Sequence, residues 1–519
     1  MIRRLNYLQW SVIVITFGMF TFHSLMFWDW IVDDAGISFV YARSLAEGYG
    51  LVSQPGSLPV EGYSNPLWTL LMSPMFLVGL FDPIVTPKLV SLSMVLLSFI
   101  MIVRIVGALA GFTVLLLLGI NTSFVVWVTS GLENPLYVLL LSCLLLVSIK
   151  RVAFYEQNNL YGIATGVTSG GMALTRPEGI IFFGIYPLVL LISNFGRYPF
   201  RELFAYLLSF SITAGAYEVF RLAYFGEIFP NTYYGKDVSW VDSFTSILTL
   251  QSSVLRKFLD AVVSLGSIFA VLSLLVFVVL NLYMIYARNF LRGHFVLLLF
   301  LGFTAFAYLI LPTDWMGEFR FATLFILCLY VYGVMLVYEF FVRFRYRYVF
   351  SVLAGALLVS GSLLIFPQRS EAFARYPTLP IDDVAEEYGF RYNDYAERLG
   401  IEEGSLLVPD VGGTLYYSTL RVYDLGGLTD RVIARTLPND YPNFYNYVFD
   451  EVKPTFIATH GAWAGLANFD SDYRFRRDYS PIREWLEVDG IYAGDYIRKD
   501  VIDSSNAEAF SQIKIELSN

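Results

Sequence analysis

Two adjacent carboxylates, Asp33 and Asp34, stand in VDDAGISFVYARSLAEGYG (residues 32–50), directly after an apolar stretch of membrane-spanning length. A carboxylate within hydrogen-bond reach of a hydroxyl can take its proton, so such a pair suits general-base chemistry, one acid orienting the other or the substrate. Polar residues interrupt the apolar pattern repeatedly after that. They are Glu61, Tyr63 and Asn65; Glu133; Arg176 and Glu178; Asn231, Tyr233, Tyr234 and Lys236 in GEIFPNTYYGK; and Asp314 and Arg320 in DWMGEFRF. Charges near membrane depth are costly and tend to face a protein interior or a wet cavity. Five such groups on one side of a membrane point to a cavity open to that side and flanked by lipid.

The same residues have plainer readings. Ile37, Val40, Tyr41, Ser44 and Leu45 share one helical face, which describes an amphipathic helix lying at the interface. One of Asp33 and Asp34 would then be its N-cap, although neighbours about 100° apart on a helix cannot both serve. Arg176-Pro177-Glu178 and Pro230-Asn231 read as turns, and Lys236 as an anchor to lipid phosphate. His23, His294 and His460 are scattered, and Gly412-Gly413 and Gly426-Gly427 are turn signals without a phosphate-loop fingerprint.

The elements that must carry these residues are membrane helices. Of 519 residues, 56% are hydrophobic and 15% charged, with mean hydropathy +0.58; soluble domains carry about a quarter charged residues. Apolar runs fall near 8–28, 65–81, 87–107, 108–120, 132–149, 159–174, 178–194, 203–224, 262–285, 294–311, 320–341 and 348–366. With a short piece at 121–130 this predicts a polytopic α-helical protein of about 11–13 spans. The first run ends in Phe-Trp-Asp-Trp and reads as an uncleaved span. Arg3/Arg4, Lys150/Arg151, Arg197/Arg201, Arg288/Arg292 and Arg343/Arg345/Arg347 would face the cytoplasm. The loop 29–64 then lies outside, and Arg104 falls awkwardly at the outer end of its span.

From 367 to 519 the chain turns polar, with β-like runs SLLVPDV and LRVYDL, and reads as a soluble α/β or α+β domain outside the cytoplasm, after a transmembrane catalytic domain at 1–366. The net charge of −9 gives no sign of a nucleic-acid partner. Cys143 and Cys328 lie in apolar runs without metal-ligand spacing. No metal site is assigned; paired acids can hold a divalent ion, but no third ligand accompanies them.

DDAGISFVYARSLAEGYGLV…PVEGYSNPLWTLL resembles the first-loop signature of bacterial GT-C fold membrane glycosyltransferases, closest to the lipid-linked arabinofuranosyltransferases that add terminal arabinose to cell-wall arabinan. The resemblance continues through SGLENPLY, ALTRPEG, GEIFPNTYYGK, DWMGEFRF and DVGGTLYYSTLRVYDLGGLTDRVIA, departing from the family pattern at Thr313 and Glu318. It implies a GT-C fold, a polyprenyl-phosphate sugar as donor, transfer on the outer face of the bacterial cytoplasmic membrane, and a polysaccharide or surface-protein acceptor. The first-loop catalytic carboxylate maps to Asp34 or Asp33. Arg176, Lys236 and Arg320, with Tyr233, Tyr234 and Asn231, then suit the donor phosphate. Glu61, Tyr63, Asn65, Glu133, Glu178 and Asp314 suit sugar or acceptor. The competing classes are an outer-face glycan ligase or polymerase using a diphosphate-linked donor, and a transporter with an outer domain. A transporter usually places its ionisable residues at midplane, not in loops on one side.

Overall fold

A computed structural model describes residues 5–154, 158–193, 198–235, 240–249, 251–264, 267–286, 292–342, 344–487 and 490–518. Lys236, Arg3, Arg4, Arg197, Arg288 and Arg343 lie outside the described residues. The chain forms two compact units. One comprises Met1–Trp30, Ile84–Phe220 and Ser239–Thr378; the other comprises Ile31–Pro83, Arg221–Val238 and Leu379–Asn519. The division thus runs differently from a single boundary at 366.

The first unit is helical. Among the described residues, seven helices are long and apolar enough to cross a membrane: Tyr7–Phe27, Val85–Val106, Asn134–Ala153, Phe200–Tyr224, Arg292–Ile310, Arg320–Phe341 and Arg347–Arg375. Ala108–Ile120 and Thr122–Val128 form a further pair bent by 75°. Asn121 makes the bend: its backbone is extended, and its side chain accepts from Phe124 N, so it ends one helix and caps the next. Asn159–Thr175, Pro177–Ser193, Trp240–Leu248, Ser252–Ser264 and Ser267–Tyr286 are further helices of this unit.

One expected span is corrected. The apolar run at 65–81 yields only the 12-residue helix Pro66–Leu77, about 18 Å long against a hydrocarbon core of about 30 Å, and it belongs to the second unit. With the bent pair counted as one span, up to eight segments among the described residues are long and apolar enough to cross. Arg104 lies close enough to Lys150 to interact with it electrostatically. Arg151 is held inside the protein. It is fully buried and bonded to Glu202 at 2.8 Å, because a guanidinium withdrawn from water needs a carboxylate. Lys88, also buried, donates to Phe27 O and Trp30 O at 2.7 Å each, satisfying carbonyls at the end of the first helix.

The second unit carries a mixed sheet of β1 (Ser405–Val408), β2 (Arg421–Asp424), β3 (Phe456–Thr459), β4 (Tyr479–Leu486) and β5 (Tyr492–Arg498) in the order β2-β1-β3-β5-β4. β1 pairs in parallel with β2 and β3, while β5 runs antiparallel to β3 and β4. SLLVPDV and LRVYDL supply β1 and β2, as expected. The helix Asp33–Ala46 is not an interfacial amphipath: ten of its 14 residues are buried. Ile37, Val40 and Tyr41 join the core of Leu406, Val408 and Phe456, while Phe39 on another face packs edge-on against Phe81. A helix covered on all sides is a core element.

Candidate functional site

In the second unit, the Asp33–Ala46 helix is entered through Val32, and neither aspartate caps it. Asp33 caps a different helix instead. Its Oδ2 accepts from Gly412 N at 3.0 Å and its Oδ1 from Gly413 N at 2.6 Å, the first two residues of Gly412–Tyr417. Glycine is required for this approach: a Cβ on Gly412 would stand 1.8 Å from Asp33 O, and one on Gly36 would stand 2.5 Å from Gly412 O. Asp33 is 3% exposed. Burial pushes its carboxyl well above the usual range, with nearby Asp34 and Asp410 adding to the effect and the two backbone N–H groups opposing it. Asp33 therefore spends both oxygens on position, whereas Asp34 is only half-buried.

The Gly412-Gly413 turn follows β1, and β1 is where the strand order reverses between β2 and β3. In open parallel sheets, the carboxyl ends of strands at such a point form a crevice. Asp410, two residues beyond β1, accepts from His460 Nε2 at 2.7 Å, and His460 directly follows β3. The His460 ring stacks on Tyr388, with centroids 5.7 Å apart and planes at 20°. Burial pulls the imidazole pKa down, but the Asp410 hydrogen bond and the charges of Asp410, Glu487 and Glu387 outweigh it and raise it. At the end of β2, buried Asp424 accepts from Thr429 N at 2.7 Å, and burial pushes its carboxyl up to about 7.

Other expected residues of this unit are joined to each other. Glu61 forms a two-pronged ion pair with Arg221 at 2.6 and 3.3 Å, and its backbone carbonyl accepts from Asn231 N. Asn231 Nδ2 donates to Gly427 O, Leu428 O and Asp430 O at 2.7–3.2 Å, which pins the loop after β2. Tyr63 is buried edge-on to Tyr41, and Asn65 Oδ1 accepts from Ser38 and Thr69. Tyr233 is exposed; Tyr234 lies under the Arg435 guanidinium at 4.3 Å.

The first unit brings five expected residues together. Arg176 bonds Glu133 at 2.6 Å and also Glu178, and Arg320 pairs with Asp314 at 2.9 Å. The two guanidiniums lie 4.8 and 4.7 Å from the centroid of one ring, Phe321, a cation–π arrangement that holds both planes. Arg176 and Arg320 line one pocket with Asn134, Tyr137 and Thr323. Asn134 Nδ2 fixes the turn by donating to Thr323 Oγ1 at 3.0 Å. Glu318 stands in the left-handed region at φ 42°, held through its carboxylate by Arg369 and Ser123. A glycine-rich pattern is natural at such a position. Lys257 was not expected here. Its Nζ donates to Tyr308 O at 2.8 Å, and burial pulls it down to about 8 against the opposing charge of Asp314.

ArnT of Cupriavidus metallidurans bound to undecaprenyl phosphate is similar over 96% of this chain and 100% of its own, at 12% identity and TM-score 0.58. The fold is GT-C. The archaeal oligosaccharyltransferase AglB of Archaeoglobus fulgidus, in complex with an inhibitory peptide and a dolichol-phosphate, aligns over 96% of this chain and 75% of its own at 11% identity and TM-score 0.53. The Archaeoglobus fulgidus oligosaccharyltransferase in complex with Zn and sulfate gives 13% identity, 94% and 73% coverage and TM-score 0.53. Residues 391–503 match a family model described as a domain of unknown function, DUF8728. No curated protein matches the chain significantly. Among the described residues of this GT-C protein, no three His, Cys, Asp or Glu side chains are grouped so as to hold a metal ion.

Asp410, His460, Arg221 and Lys257 escaped sequence reasoning. Asp410 and His460 lie 50 residues apart, and only the parallel pairing of β1 with β3 brings them together. VPDVGG was legible as the end of a β-like run, a turn and part of a family motif, with no role for Asp410.

Proposed function

We propose that this protein moves a sugar from a polyprenyl monophosphate to an acceptor hydroxyl at the outer face of a bacterial cytoplasmic membrane, with D-arabinofuranose the sugar favoured by the motif resemblance. The observation that carries the reading is the division of labour in the aspartate pair on a GT-C fold. Asp33 is held by Gly412 and Gly413, and half-buried Asp34 is assigned to proton transfer. Asp34 accepts the acceptor hydroxyl proton as the acceptor oxygen bonds to the anomeric carbon. The bond from that carbon to the phosphate oxygen breaks, and polyprenyl phosphate leaves with the electron pair. Arg176, Arg320 and Lys236 are assigned to the charge that develops on the phosphate, with Tyr233, Tyr234 and Asn231 as further donor contacts. Glu61, Tyr63, Asn65, Glu133, Glu178 and Asp314 are assigned to the sugar and acceptor, acting through the arginines and turns they hold. Direct displacement with a single base inverts the anomeric centre.

The bound lipids of the similar structures support the donor class: undecaprenyl phosphate in ArnT and dolichol-phosphate in AglB. The distribution of arginine and lysine between the apolar runs supports an orientation with the first loop and the C-terminal region outside. The test is incubation of purified protein with polyprenyl monophosphate and diphosphate sugars and mass analysis of the acceptor. Transfer from monophosphates alone supports the proposal. Transfer from diphosphates alone, or flux of substrate across sealed vesicles without release of polyprenyl phosphate, overturns it.

A further inference from the structure

The His460–Asp410 pair is not used by the chemistry above, and its geometry is specific. Nε2 is held by Asp410 at 2.7 Å and the ring face by Tyr388. Among the described residues Nδ1 has no hydrogen-bond partner, and the side chain is 33% exposed. The imidazole is thus fixed in orientation with one nitrogen left for a ligand. Trp463, half-buried, borders the same crevice, its ring edge 3.5 Å from where a Gly426 side chain would begin. Glu487 accepts from Gly461 N at 2.9 Å beside His460, and Glu387 adds a second carboxylate that acts on His460. Acceptors around an oriented imidazole and an aromatic edge match a neutral polyol, whose hydroxyls donate and accept.

We infer that the crevice at the carboxyl ends of β1 and β3 binds a neutral saccharide, with a sugar hydroxyl on His460 Nδ1 and Asp410 positioning the ring. Resting on the glycosyl-transfer reading, this assigns the acceptor as a glycan. Asp410 is a positioning residue; His460 touches the ligand.

The experiment measures binding of neutral arabinan, mannan and galactan oligosaccharides to the full-length protein in detergent. His460→Gln keeps an amide where Nε2 meets Asp410 but removes the group at Nδ1. His460→Asn does the reverse. If Nδ1 carries the ligand, His460→Gln weakens binding of the preferred saccharide about tenfold, as expected for one lost hydrogen bond, while His460→Asn stays within about threefold of wild type. A purely structural role predicts the opposite order. Both variants should keep wild-type polyprenyl-phosphate binding, which shows that the fold is retained. Unchanged binding in His460→Gln, the reversed order, or no binding of any of the three saccharides by wild type overturns the inference. Failure of the transfer reading registers separately, as no acceptor-dependent release of polyprenyl phosphate by the wild-type protein.

Discussion

Replacing Gly412 by alanine tests whether Asp33 is a structural clamp. The new Cβ would lie 1.8 Å from Asp33 O, 2.5 Å from Asp33 C and 2.7 Å from Asp33 Oδ1. A relaxed carbon–oxygen contact is about 3.3 Å, so the turn and the helix must separate by roughly 1.5 Å. Both are backbone, so no side-chain rotation relieves the clash. The same movement stretches the 3.0 and 2.6 Å bonds to Asp33 to roughly 4 Å, beyond hydrogen-bond range. Leaving the two buried N–H groups unpaired costs about 1–3 kcal/mol each, or about 2–6 kcal/mol together. Native domains have only about 5–15 kcal/mol to lose. For a unit of this size the expected fall in melting temperature is about 10–20 °C, read by intrinsic fluorescence of the full-length protein in detergent. Gly389→Ala is the control: its Cβ would meet Tyr417 Cβ at 3.6 Å, an ordinary contact, and should be neutral or stabilising by about 0.5–1 kcal/mol. A Gly412→Ala protein melting within 2 °C (roughly 1 kcal/mol) of wild type would refute the clamp.

Asp33→Asn should lower thermal stability by about 1–3 kcal/mol, since an amide nitrogen then faces a backbone N–H; a wild-type melt would contradict this. Burial holds Asp424 near 7 against about 3.9 in an unfolded chain. The folded chain therefore keeps a proton across pH 4–7 that the unfolded chain has lost. Stability of the second unit should fall as pH rises through that window, by on the order of 4 kcal/mol from this group, and level off above it. His460, also raised, adds a further fall above about 6.5; melting curves from pH 4.5 to 8 check both, and Asp424→Asn should flatten the lower part. Glu61→Ala leaves Arg221 buried without its carboxylate and should cost about 3–5 kcal/mol; an unchanged melt would remove the pair from the framework. Arg176→Ala should raise the donor KM at least tenfold, about 1.4 kcal/mol, and unchanged donor kinetics would take Arg176 out of phosphate binding.

Hydropathy carried most of the helical architecture. Runs as apolar as 85–106 and 320–341 admit no other reading. It failed at 66–77, where composition resembles a span but the helix ends after 12 residues, near a glycine at positive φ, Gly79. Length, not hydropathy, decides that case. The bend at Asn121 was legible only as a break in the pattern, because a cap and a turn share the same residues. Asp33 and Asp34 were legible as a pair, but their separate tasks were not. Asp33's partners are 379 and 380 residues away, and nothing local distinguishes a carboxylate that caps another helix from one that meets substrate. Arg176, Glu133 and Asp314 could be picked out individually as polar breaks; Phe321, which holds the two arginines, looked like any other apolar residue. His460 looked isolated because its meaning lies in the sheet order.

The most direct test of the central claim is acceptor-dependent release of polyprenyl phosphate from a polyprenyl-phosphate sugar, measured for wild type and Asp34→Asn at equal folded concentration. The account predicts release with a mass shift of the acceptor in wild type, and a loss of at least a hundredfold in Asp34→Asn, the usual worth of a general base, with an unchanged melting temperature. Wild-type turnover by Asp34→Asn would contradict it.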